Sequence, residues 1–65
     1  MMAKKKRLPK VGEVYEAKGY RFFVDDIKDG EVLVTRWGKM GPRLIRVRLA
    51  TWQKEMVGVD PENKR

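Results

Sequence analysis

Polar and apolar residues alternate most cleanly over positions 43–49. There Ile45, Val47 and Leu49 fall on one side of an extended chain and Leu44, Arg46 and Arg48 on the other. Burying unpaired arginines is costly, so the Ile45 side is the core face of this strand. Residues 13–17, Glu-Val-Tyr-Glu-Ala, show the same period of two and predict another strand. Between them lies YRFFVDDIKDGEVLVTRW, residues 20–37, rich in the aromatic and β-branched side chains that suit a pleated surface. It divides into strands at 20–27 and 31–37 joined by Asp29-Gly30, a pair that supplies the positive φ angles of a tight hairpin. Lys18-Gly19 turns the first strand into this hairpin, and Gly38-Lys39-Met40-Gly41-Pro42 forms the loop before the last.

The third strand has two possible facings. An unbroken ladder from a two-residue Asp29-Gly30 loop sets Phe22, Val24, Leu33, Thr35 and Trp37 on one face. A bulge near Asp25-Asp26 instead aligns Val24, Ile27, Val32 and Val34 inward and swings Trp37 outside. The second arrangement is expected, because Phe-x-Val-x-x-Ile followed by Val-x-Val needs a bulge to unite its apolar members. Beyond the last strand, Leu49, Trp52 and Met56 recur at helical spacing, with Thr51 a candidate cap and Gly58 a candidate stop. A helical or 3₁₀ turn here is expected to lay Trp52 over one open end of a barrel. Residues 1–10 predict a flexible basic arm, 11–58 a small β-barrel domain, and 59–65 a polar, frayed tail.

The run Val24-x-x-Ile27, Lys28-Asp29-Gly30, Val32-x-Val34, followed by a loop and Ile45-x-Val47-x-Leu49, resembles the small SH3-like barrels of KOW, Tudor and archaeal chromatin proteins. The resemblance covers about half the chain. It implies an all-β fold, a barrel of four or five antiparallel strands with a short C-terminal helical turn. Members of such folds often bind nucleic acid or basic peptide tails. The clustered aromatic cage of a methyl-lysine reader is missing from this sequence.

At 65 residues the chain is one small domain. A domain of this size buries only about 60% of the surface its unfolded chain exposes. With no cysteine and no histidine there is neither a disulfide staple nor a Cys/His zinc site, and no cofactor is expected. No apolar run approaches the roughly 20 residues of a membrane span. The default setting is the cytoplasm, of a bacterial or phage-infected cell. The net charge of +7 is unevenly placed. Residues 1–12 contribute Lys4, Lys5, Lys6, Arg7 and Lys10 with no acid, and residues 32–49 contribute Arg36, Lys39, Arg43, Arg46 and Arg48 with no acid. Between them Glu13, Glu16, Asp25, Asp26, Asp29 and Glu31 outnumber Lys18, Arg21 and Lys28. Two acid-free basic blocks bracketing an acidic one point to a polyanionic partner.

Catalysis has little to work with. The chain holds no histidine, cysteine or serine, and Asp25-Asp26 is its only adjacent acidic pair. Neighbours on a strand face opposite ways, so these two carboxylates share a site only if a bulge joins them. A non-enzymatic nucleic-acid-binding module, for DNA or RNA, is the expected function. Arg36, Arg43, Arg46 and Arg48, with Lys39 at the loop tip, offer phosphate contacts, and Trp37 and Met40 offer apolar contact to bases. Lys4, Lys5, Lys6 and Arg7 add an arm for non-specific phosphate contacts. Against this stands a solvated basic face with Trp37 in the core. The competing function is a small adaptor or inhibitor that docks on an acidic protein surface, transcription or translation machinery included. A monomer or weak dimer is expected, since an exposed edge strand invites pairing.

Overall fold

A computed structural model describes residues 8–62, the span to which every structural statement below refers. Four strands, β1 (Val14–Ala17), β2 (Tyr20–Lys28), β3 (Glu31–Gly38) and β4 (Gly41–Arg48), precede one helix, α1 (Leu49–Glu55). The strands form one antiparallel sheet in the order β1-β2-β3-β4. The fold is therefore mostly β with a short C-terminal helix, as the alternation predicts.

Tight turns set the register. Ala17 pairs with Tyr20 and Lys28 with Glu31, leaving two-residue loops at Lys18-Gly19 and Asp29-Gly30. All four loop residues have positive φ, between 53° and 81°, which matches the twist of the flanking strands. Gly38 pairs with Gly41, so the last loop is only Lys39-Met40, shorter than the five-residue stretch 38–42 suggests.

The bulge is present. Val24 pairs with Val34 but Asp26 pairs with Leu33, which leaves Asp25 as the extra residue of β2. Val24, Val32 and Val34 are thereby buried together, Ile27 packs against them, and Trp37 faces out at 45% exposure. The tight loop and the bulge coexist.

The sheet does not close into a barrel. No fifth strand returns to β1 among the described residues; after β4 the chain winds into α1, which covers the concave face instead. Trp52 is 3% exposed and meets Tyr15 and Phe22 edge-to-face, with ring centroids 5.4 and 5.7 Å away. Trp52 and Tyr15 make the core with Met56 and the three valines, and Phe22, Ile45, Val47 and Leu49 pack against it, the last three from the expected side. Trp52 thus fills the sheet's hollow rather than an open barrel end.

Thr51 does not cap the helix. Arg48 occupies the cap position with no side-chain bond, because β4 runs straight into α1. The Leu49 amide, otherwise an orphan of the first turn, donates to the Gly30 carbonyl at 2.8 Å. Gly58, at φ 81°, turns the chain away after the helix. Contacts reach both ends of the described span. Pro9 and Pro61 are buried, the Lys10 amide donates to Glu13 Oε1, and the Glu62 amide donates to the Val14 carbonyl at 2.6 Å. No described helix is long and apolar enough to cross a membrane.

Candidate nucleic-acid interface

The register sorts the outer face of the sheet into rows. One row runs Glu16, Arg21, Trp37, Pro42, and the next Val14, Phe23, Thr35, Leu44. Past the bulge come Asp26, Leu33, Arg46 and then Lys28, Glu31, Arg48. The first row sets exposed Trp37 and Pro42 beside the ion pair of Glu16 and Arg21, and the second is mostly apolar, with Phe23 and Leu44 exposed. Phe23 is 38% exposed, and its ring meets Trp37 edge-to-face with centroids 6.4 Å apart. The last two rows are mixed in charge. Arg46 Nε lies 3.7 Å from Glu31 Oε1, but both side chains are well exposed, so this pair adds little to stability and leaves the guanidinium accessible.

The predicted site residues do not form one surface. Trp37, Arg46 and Arg48 share the outer face, but Arg46 lies four positions along from Trp37, about 13 Å at the rise of a strand. Arg36 and Arg43 point to the other face. They pair directly across β3 and β4, in line with Phe22 on β2 and one step beyond the core residues Val34 and Ile45. Lys39 and Met40 occupy the hairpin tip, Met40 almost wholly in solvent. Lys4, Lys5, Lys6 and Arg7 lie outside the described residues.

Three residues outside the predicted set join the site. Tyr20 holds the Arg36 guanidinium over its ring, 4.5 Å from the centroid. Phe23 completes the aromatic pair, and Arg21 stands directly across from Trp37. The bulged register already implied Phe23 and Arg21, since it puts alternate β2 residues beside Trp37. Tyr20 carries no such signal, because its contact depends on Gly38. A Cβ built at Gly38 would come within 2.7 Å of the Tyr20 ring, so only glycine lets that ring lie against the hairpin.

Asp25 and Asp26 serve local structure separately. Asp25 Oδ2 accepts the Thr35 hydroxyl at 2.5 Å, and Asp26 Oδ1 accepts the Ile27 amide at 2.9 Å. No group of three or more acidic side chains suited to a metal ion occurs among the described residues. Lys18 is ion-paired with Glu55, and this bond holds the Glu55 carboxyl below its ordinary pKa.

No family model, curated protein or solved structure matches this chain. The likeness to SH3-like barrels accordingly stands on the strand pattern alone, and what the structure itself shows is a small open antiparallel sheet backed by a helix.

Proposed function

We propose that the protein is a non-enzymatic nucleic-acid-binding module with a preference for unpaired strands. The observation that carries this is the exposed Phe23–Trp37 pair, set beside Lys39 at the turn end of the β3–β4 hairpin and beside Arg21, whose guanidinium lies 3.9 Å from Glu16 and 3.4 Å from Glu62. Exposed rings give bases a stacking platform, and neighbouring cations meet the phosphates between them. Arg46 and Arg48 extend the positive charge along β4, and the net charge of +7 favours a polyanion throughout. The lack of histidine, cysteine and serine supports binding without catalysis.

The test is titration with single-stranded DNA, RNA and duplex DNA at several salt concentrations. If about five phosphates are engaged, log affinity for single strands falls with log salt at a slope of about −3.5. Trp37→Ala is expected to weaken single-strand binding far more than duplex binding. A flat salt response, or duplex binding that outlasts single-strand binding, overturns the reading.

A second reading rests on β4 being an open edge that carries Arg43, Arg46 and Arg48. Such an edge suits strand addition by an acidic protein partner. Saturable binding to an acidic protein, with no affinity for any nucleic acid, would select it.

A further inference from the structure

On the core side of the hairpin end, the side chains of Arg36, Lys39 and Arg43 surround an open pocket of about 450 Å³ together with Lys18 and Tyr20. No carboxylate lines it. Arg36 and Arg43 sit directly opposite each other on one face of the sheet, an arrangement in which like charges repel across about 4.5–5.5 Å between Cβ atoms. No ion pair relieves either of them among the described residues. The Arg36 guanidinium is held in place by the Tyr20 ring, and Tyr20 in turn by the missing Cβ of Gly38. An unrelieved arginine pair, one member of it stacked on Tyr20, with a lysine at the rim, is matched to a compact ligand of more than one negative charge. Guanidinium forks bind phosphate oxygens in pairs, and a phosphate monoester carries about −1.5 to −2 at neutral pH, against −1 for an internal diester.

We infer that this pocket seats a phosphate monoester, and that in the nucleic-acid reading it captures the phosphorylated end of a strand. The pocket shares Gly19, Tyr20, Gly38 and Lys39 with the hollow beside Phe23 and Trp37 on the opposite face, so a strand held here by its end phosphate has a path around the hairpin end to the aromatic pair. The capture of strand ends rests on the proposed function. The monoester site itself does not, since a free nucleotide presents the same group.

The experiment compares one oligonucleotide sequence bearing a 5′-phosphate, a 3′-phosphate or hydroxyls only, and in parallel a nucleoside monophosphate and inorganic phosphate. Each is titrated into the full chain and into Arg36→Ala/Arg43→Ala, Gly38→Ala and Glu55→Gln, with folding checked by circular dichroism. At least tenfold tighter binding of a phosphorylated oligonucleotide is expected, and that margin should disappear in the double arginine variant. Glu55→Gln frees Lys18 toward the pocket and should widen the margin, an effect no folding defect produces. Phosphorylated and hydroxyl oligonucleotides binding equally well overturns the monoester site and leaves the proposed function standing. Nucleotide binding that the double variant abolishes, with no oligonucleotide binding, supports the site and overturns the proposed function. Binding of none of these ligands overturns both.

Discussion

Thr35 donates its hydroxyl to Asp25 across the β2–β3 ladder at the one position where the two strands fall out of step. That contact sits on the feature that decides which aromatic residues face water. Were the full-length β2 to pair with β3 without a bulge, Val24 would oppose Thr35 instead of Val34, and the outer part of β2 would present its other face. The Phe23–Trp37 pair exists because β2 takes up Asp25 as a bulge instead of pairing it.

Deleting Asp25 should be tolerated by the fold, because Val24 opposite Val34 and Asp26 opposite Leu33 then become ordinary neighbours in the ladder. Asp25→Ala removes an exposed hydrogen bond and should cost about 0.5–1.5 kcal/mol. Both variants should keep a cooperative thermal transition and an exposed Trp37. Loss of that transition on deletion would show that the bulge itself, and not the pairing on either side of it, holds the register.

Trp52 and Trp37 should behave as opposites. Trp52→Ala empties the middle of the core and should cost about 3–5 kcal/mol, enough to unfold a domain this small. Trp37→Ala should leave the fold intact. In the wild-type protein, iodide should quench one tryptophan readily and the other hardly at all, and Trp37→Phe should remove the accessible one. A Trp37→Ala protein that fails to fold would place that ring in a structural role.

Binding follows the same division. Removing the Trp37 ring should weaken single-strand affinity by about 1–3 kcal/mol, roughly 5- to 150-fold. Trp37→Phe should recover part of the loss, because any aromatic face stacks on a base. Unchanged affinity in Trp37→Ala would move base contact away from this face.

Acid should uncouple Lys18 from Glu55. The Lys18 ammonium lowers the Glu55 pKa in the folded state, first through the hydrogen bond and then through charge. A carboxyl depressed on folding stabilises above its unfolded pKa, and the contribution is lost as pH falls through the folded value. The melting temperature of the wild-type protein should exceed that of Glu55→Gln at neutral pH, and the gap should close as pH drops below about 4.3. The gap should also narrow with salt, since both side chains are exposed. A gap that ignores pH would mean that Glu55 acts by packing.

Much of the sheet is legible in the sequence because its signals are local. Asp29-Gly30 fixes a turn by backbone preference, and Ile45-x-Val47 against Arg46-x-Arg48 fixes a facing by the cost of burying charge. The bulge is legible one step further on, from the need to unite Val24, Ile27, Val32 and Val34. Closure is not legible, because it depends on where the chain goes after Arg48. Leu49 turns into a helix through a bond to Gly30, a partner 19 positions away. The site divides in the same way. Alternation places Arg46 and Arg48 correctly, but it also separates Arg36 from Trp37, its immediate neighbour, onto opposite faces. The stacking of Arg36 on Tyr20 depends on a glycine whose importance is only steric, and nothing in its sequence neighbourhood marks it.

The path of the C-terminal segment has a consequence for self-association. Stacking sheets end to end into a filament requires two free borders on every subunit. One border here is the four-residue β1, and the Glu62 amide already uses its Val14 carbonyl, next to the buried Pro61. Growth is left with β4, whose arginines repel their own copies. Even a crowded population of folded chains should stop at pairs instead of elongating into fibrils.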